Sequence, residues 1–192
     1  MEIRKEKNEL RKTYLRRRAE LSDTIRRERD ERICAAIISM ASFRYADTIL
    51  MYAPSNLEPD IMPVAKEAWK KGKTVAFPRC KIFDRTMTYH ITHSEEDLLS
   101  GAYKIPEPHA RAPEYRPGGK ALCLVPALVY DTEGYRLGYG KGYYDRFLTN
   151  FTGTSAGIIY SDFISDRVPR GRFDLAVKIL VTEKGVRITG EN

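Results

Sequence analysis

Five short apolar runs punctuate the chain, at 48–53, 74–77, 121–125, 156–160 and 177–181. Each is too brief for a core helix, and several are rich in Val, Ile and Leu. They read as nearly continuous hydrophobic stretches rather than as alternations. A strand of that kind is buried on both faces, which an open sheet achieves only when helices cover it on either side. Segments between the runs carry helical signals. Residues 4–20 hold no Gly or Pro, and Leu10, Tyr14 and the following Leu21 recur at helical spacing with Leu15 beside them. Ser22 or Asp23 can cap a second helix with Ile25, Ile33, Ile37 and Met40 on one side. A loop with Pro54 and Asn56 leads to a short helix near 61–71, stopped by Gly72. The expectation is an α/β fold: one domain over residues 1–192, with an open, mostly parallel sheet flanked by helices on both faces.

Weaker signals fill the rest. Thr86–Ile91 alternates like a strand, Ser94–Leu99 resembles one capped helical turn, and 101–119, dense in Pro and Gly, reads as a surface loop. Residues 145–148 read as a helix and 186–189 as a last short strand. No run approaches the ~18 apolar residues of a membrane span. The charged start Met1–Lys7 precedes no apolar stretch, so a secretory signal is not indicated. Cys34, Cys80 and Cys123 are widely spaced and form no CxxC pair, which argues against a zinc site or a disulfide framework. Cys34 and Cys123 read as small core residues of a cytoplasmic protein. His90, His93 and His109 lack ligand-like neighbours.

The chemistry concentrates just beyond the apolar run 121–125, where open α/β sheets place ligands. There the chain reads Asp131-Thr-Glu-Gly-Tyr-Arg136-Leu137-Gly138-Tyr139-Gly140-Lys141-Gly142-Tyr143-Tyr144-Asp145. Three alternating glycines allow positive φ angles and close approach to an anion. Lys141 and Arg136 can neutralise phosphate charge. A carboxylate such as Asp145 beside phosphates is a usual way to hold Mg²⁺. The spacing GxGxG is neither the dinucleotide fingerprint nor a Walker loop. On the first helix Lys7, Arg11 and Arg18 fall on one side, either as a solvated basic face or as an edge folded over the same phosphates. The net charge, 33 basic against 26 acidic residues or +7, suits both a phosphate-handling enzyme and a nucleic-acid binder. Arg16-Arg17-Arg18 and a tyrosine-rich loop would fit RNA, but the aromatics cluster with glycines and an aspartate rather than along a basic stripe.

The run from Val125-Pro126 to Asp131, continued by Gly134-Tyr-Arg136-Leu-Gly-Tyr-Gly-Lys-Gly-Tyr-Tyr-Asp145-Arg146, resembles the signature of the 5-formyltetrahydrofolate cyclo-ligase family. Lys7-Asn-Glu-Leu10-Arg11, Phe77-Pro78-Arg79, Ile105-Pro106-Glu107-Pro108 and Val181-Thr182-Glu183 fall in the family's order. The resemblance implies an ATP-dependent ligase that closes 5-formyltetrahydrofolate to 5,10-methenyltetrahydrofolate. It assigns ATP to Lys7, Arg11 and residues 136–144 (Arg136, Leu137, Gly138, Tyr139, Gly140, Lys141, Gly142, Tyr143 and Tyr144). Lys141 and Arg136 carry the catalytic charge. Mg²⁺ falls to Asp145 and Asp174, and the folate to Ala53, Glu58, Tyr103 and Tyr139. The implied partners are these small molecules alone, with no nucleic acid or membrane, and the implied state is a monomer. The chain departs from the family pattern at Pro59 and Ile61, at Ala127, where a glycine is usual, at Tyr139, where some members are basic, and at Lys178, where an acid is common.

Overall fold

The computed structural model describes residues 2–55 and 57–190; Met1, Asn56, Glu191 and Asn192 lie outside the described residues. The elements are α1 (Glu2–Ala19), α2 (Asp23–Ser39), α3 (Ala41–Tyr45), β1 (Thr48–Leu50), α4 (Met62–Lys70), β2 (Thr74–Lys81), β3 (Thr86–Thr92), β4 (Leu98–Ser100), β5 (Pro106–Pro108), β6 (Ala121–Pro126), β7 (Val129–Asp131), β8 (Arg136–Leu137), α5 (Tyr143–Thr149), β9 (Thr154–Ile158), β10 (Ile164–Ser165), β11 (Ile179–Thr182) and β12 (Gly185–Ile188). Seven strands form one sheet in the order β12-β11-β9-β6-β1-β2-β3. The five inner strands, β11 to β2 in that order, are mutually parallel. β3 and β12 close the two edges as antiparallel hairpin partners. All five apolar runs of the sequence are these inner strands.

The chain enters the sheet in the middle. From β1 it moves through α4 to β2 on one side, then returns past β1 to β6 and proceeds to β9 and β11 on the other. Right-handed crossovers running in opposite directions place α4 and α5 on opposite faces. In keeping with this, α4 packs on β2, α2 on β11, and α5 on β3. The core is built from Ile33 and Ile37 of α2, Val64 and Ala68 of α4, and Ile49, Leu50, Leu124, Val125, Ile158 and Val181 of the strands. Among the described residues no helix is long and apolar enough to cross a membrane.

Local signals explain most boundaries. Ser22 caps α2 by accepting from the Ile25 amide at 3.4 Å. Gly72 leaves α4 with φ +70° and donates to the Trp69 carbonyl, a left-handed stop that favours glycine. Cys34 and Cys123 are buried and His90 is a structural residue, its Nδ1 2.8 Å from the Ala112 carbonyl. Two expectations are corrected. Ile25 stays exposed, because burial along α2 begins only at Ile33. The helical turn after Ser94 ends at Asp97, and Leu98–Ser100 becomes β4, because the supposed surface loop folds back as β5 and pairs with it.

At the centre of the sheet Gly157 leaves room for Tyr130, whose hydroxyl donates to the Val125 carbonyl at 2.9 Å. A Cβ on Gly157 would lie 2.5 Å from Tyr130 Cζ. Gly157→Ala is therefore expected to destabilise the protein by about 1–3 kcal/mol, as overpacking of a core does. A urea midpoint equal to wild type would show that the ring can withdraw.

Candidate active site

The strand order reverses between β1 and β6, and their carboxyl ends open a crevice there. Helix α1 lies across it. Its residues 7, 11, 14 and 18 recur at helical spacing, so one stripe carries Lys7, Arg11, Tyr14 and Arg18 toward the sheet. Arg18 is buried, with 1% of its surface exposed. Its guanidinium donates to the Leu57 carbonyl, beyond β1, at 2.6 Å and to the Ala127 carbonyl, beyond β6, at 2.5 Å. It also lies 4.9 Å from the centre of the Phe163 ring. Burial lowers the Arg18 pKa, and the nearby Tyr139 and Glu58 oppose that shift. A guanidinium remains charged through any such change at neutral pH.

Glu58 sits in the same crevice, 5% exposed, one residue past the Leu57 carbonyl that Arg18 holds. Its Oε2 accepts from the Ser55 amide at 2.9 Å. Burial raises its pKa, while Ser55, Arg18 and Tyr139 pull it back. The Tyr139 hydroxyl lies 3.5 Å from Ser55 Oγ. Ala53 is buried immediately before this loop. Of the four residues assigned to the folate, Glu58 and Tyr139 are thus neighbours, and Arg18 lies near both.

The glycine loop after β8 forms the second half of the site. Arg11 Nε donates to the Gly138 carbonyl at 2.8 Å, and its Nη1 is steadied by Asn8 Oδ1 at 2.7 Å. Gly140 has φ +89°, and a Cβ there would meet the Arg11 guanidinium at 3.0 Å, so this position needs glycine for both its conformation and the approach of Arg11. Between α1 and the loop lies an open cleft of about 760 Å³, lined by Lys7, Arg11, Tyr139, Gly140 and Lys141, and also by Arg4 and Arg85. No carboxylate among the described residues lines it. Tyr139 borders this cleft and reaches Ser55 in the crevice, so it joins the two compartments.

Other candidates are placed differently. Arg136 is 7% exposed and donates to the Leu175 carbonyl at 2.9 Å and to Asp145 Oδ1 at 2.6 Å. It braces the loop from beneath instead of reaching into the cleft, which corrects its reading as a phosphate-facing charge. Leu137 packs with Val129 and Val168 in a small core of its own. Tyr144 turns inward beneath the loop, with the Arg136 guanidinium 5.9 Å from its ring centre. Only the backbone of Leu137 is left to meet a ligand. Tyr143 lies at the surface with its hydroxyl 3.2 Å from that of Tyr103. Tyr103, held at φ +57°, has its ring 5.9 Å from Lys141 Nζ, so it stands beside the cleft.

The two acids expected to hold Mg²⁺ lie on touching segments. The Leu175 amide, next to Asp174, is 3.4 Å from Asp145 Oδ1. Asp174 Oδ2 pairs with Lys7 and accepts from the Gly171 amide at 2.7 Å. Each acid keeps its other oxygen clear of hydrogen bonds among the described residues. No group of three His, Cys, Asp or Glu among those residues could hold an ion alone. That fits a magnesium ion carried in by phosphates, which needs only one or two protein carboxylates.

The sequence places Arg18 on one side of the helix with Lys7 and Arg11 but does not disclose its burial against two carbonyls. Its register on the helix distinguishes it, seven residues from Arg11. Arg18→Met keeps the volume but leaves the buried Ala127 carbonyl and the half-buried Leu57 carbonyl without their donor, and it removes the charge near Glu58. We expect a loss of about 3 kcal/mol in a denaturant titration, the scale for breaking one side of a buried charged network. A loss below about 1 kcal/mol, typical of a single exposed hydrogen bond, would contradict this role.

Comparison with known proteins agrees with this geometry. The model of the 5-formyltetrahydrofolate cyclo-ligase family matches residues 3–183. The 5-formyltetrahydrofolate cyclo-ligase of Escherichia coli K12 is 24% identical over 175 residues, covering 88% of this chain and 96% of that one. The NMR structure of 5,10-methenyltetrahydrofolate synthetase from Aquifex aeolicus aligns with TM-score 0.82 and 35% identity, covering 97% of this chain and 94% of its own. The structure of the Mycoplasma pneumoniae 5,10-methenyltetrahydrofolate synthetase shares the fold at TM-score 0.74 and 22% identity, covering 92% and 98%. With its parallel sheet, its helix laid over the switch point and its glycine loop, the chain belongs to the 5-formyltetrahydrofolate cyclo-ligase family.

Proposed function

We propose that the protein uses ATP to close 5-formyltetrahydrofolate to 5,10-methenyltetrahydrofolate, with the triphosphate in the cationic cleft and the folate in the crevice beside Glu58. The observation that carries this reading is Tyr139, which borders the cleft and also lies 3.5 Å from Ser55 Oγ in the crevice. A phosphoryl donor in one compartment and a formyl acceptor in the other would meet there.

The chemistry asks for charge and position, not for a protein nucleophile. The formyl oxygen attacks the γ-phosphorus as the bond to the bridging oxygen breaks, and ADP leaves. The resulting N5-iminium phosphate has an activated carbon. N10 adds to that carbon, its proton is lost, the carbon–oxygen bond breaks and phosphate departs. Lys141 and Arg11 neutralise charge that gathers on the transferring oxygens. Arg136 positions Asp145, and Lys7 positions Asp174, so that Mg²⁺ bound with the nucleotide would withdraw charge from its phosphates. Ionised Glu58 accepts hydrogen bonds from N–H groups of the folate and fixes its orientation.

The direct test is to mix protein, 5-formyltetrahydrofolate, ATP and Mg²⁺ and to follow the absorbance of the methenyl product. One ADP and one phosphate are expected per product. A folded protein that binds ATP and yields no product would exclude this substrate and favour another formyl or amide compound. Lys141→Ala is expected to lower kcat by about 100-fold, the cost of removing one preorganised stabiliser of developing charge. Its melting temperature should stay at the wild-type value, because Lys141 is exposed. Equal losses of stability and rate would contradict the assignment.

Glu58 yields a pH prediction. Burial raises its pKa, so the folded protein holds the proton more tightly than the unfolded chain. Stability from this group is present below the ordinary glutamate value and falls as pH rises through the raised one. The carboxylate needed for folate binding is lost on acidification at a higher pH than for an exposed glutamate. The acid limb of kcat/KM should therefore lie above the usual glutamate range, and Glu58→Gln should lower kcat/KM and abolish that limb. An unchanged limb in the variant would assign it to another group.

A further inference from the structure

The β2–β3 hairpin runs past the rest of the sheet. β1 pairs only with residues 74–76 of β2, while β2 and β3 stay paired from Val75–Thr92 out to Lys81–Thr86. The overhang leaves the sheet at the carboxyl ends of the parallel strands, on the ligand side. Its tip turns sharply. Asp84 Oδ1 accepts from the Thr86 amide at 2.9 Å and from Thr86 Oγ1 at 2.6 Å. Between them Arg85 adopts φ +56°, a left-handed conformation uncommon for a side chain of this kind.

The tip is tied to the glycine loop. Arg146 Nη1 donates to the Arg85 carbonyl and to the Lys141 carbonyl, both at 2.9 Å. The tie runs through the Arg85 backbone, leaving its side chain to line the cleft with Arg4, Lys7, Arg11 and Lys141. Five cations and no carboxylate line this space among the described residues. Lys7 is partly committed to Asp174 and Arg11 to the Gly138 carbonyl. Gathered like charges repel one another, and an entering polyanion relieves that repulsion.

We infer that the hairpin tip is a wall of the nucleotide cleft, with Arg85 binding the polyphosphate and Arg146 positioning it against the glycine loop. This rests on the ATP reading above and extends it to a segment outside the family signature. Because Arg85 supplies charge to phosphates, its contribution grows with the number of phosphates on the ligand.

The test is calorimetric titration of the full-length protein and of Arg85→Asn with ATP, ADP and AMP in the presence of Mg²⁺. Asparagine tolerates the left-handed conformation and keeps the backbone tie. ATP affinity is expected to fall about tenfold, the scale of one charge-assisted contact, ADP affinity less, and AMP affinity hardly at all. Arg85→Lys should recover part of the loss. Lys81→Gln, at the base of the same tip, should bind ATP like wild type. ATP affinity in Arg85→Asn within twofold of wild type would overturn the inference, as would an equal loss for all three nucleotides. Wild-type protein that binds no ATP would instead overturn the ATP reading itself.

Discussion

A cationic stripe on one helix, pressed onto the carboxyl edge of a parallel sheet, organises the rest of the molecule. Lys7 reaches Asp174, Arg11 reaches the Gly138 carbonyl, and Arg18 bridges the carbonyls of Leu57 and Ala127. Each contact pins a different loop. The first fixes the segment carrying Asp174 and the second fixes the glycine loop. The third fixes both lips of the crevice in which Glu58 sits. The helix is polar on most of its surface and docks through these charges plus Leu10 and Tyr14, which pack on the small core around Val129 and Leu137. Such a helix stays in place because its arginines find buried carbonyls, and the same arginines build the site.

Two environments therefore lie side by side. The cleft is open and cationic, suited to a hydrated polyanion. The crevice holds one buried carboxylate near one buried guanidinium. Burial shifts the two groups in opposite senses, Glu58 upward and Arg18 downward. Each stabilises the charged form of the other. The proposed function uses this division to hold a charged phosphate donor apart from a flat, largely uncharged ring system. Tyr139, exposed on one side and facing Ser55 on the other, marks the boundary.

The parallel core was readable because inner strands leave no polar face: 48–53, 121–125 and 156–160 announce themselves by composition alone. β4 and β5 were not, since pairing between Leu98–Ser100 and a proline-rich segment depends on a turn and not on hydrophobic pattern. The glycine loop was legible because a lysine, an arginine, tyrosines and an aspartate share its window; the glycine spacing alone also fits an ordinary turn. What stayed hidden is which arginine does what. Arg16, Arg17 and Arg18 are chemically identical, and only helical register sends Arg18 inward. Arg136 reads as a free charge, yet a buried β8 strand and the nearby Asp145 claim it from below. Arg85 lies in a turn far from the signature, and only the length of the hairpin brings it to the cleft.

The central claim is that the formyl oxygen of the folate is phosphorylated before the ring closes. Substrate carrying ¹⁸O in its formyl group, turned over with unlabelled ATP in ordinary water, tests this directly by mass spectrometry of the released phosphate. One ¹⁸O per phosphate is expected. Phosphate free of label, with the ¹⁸O recovered in water, would contradict the account.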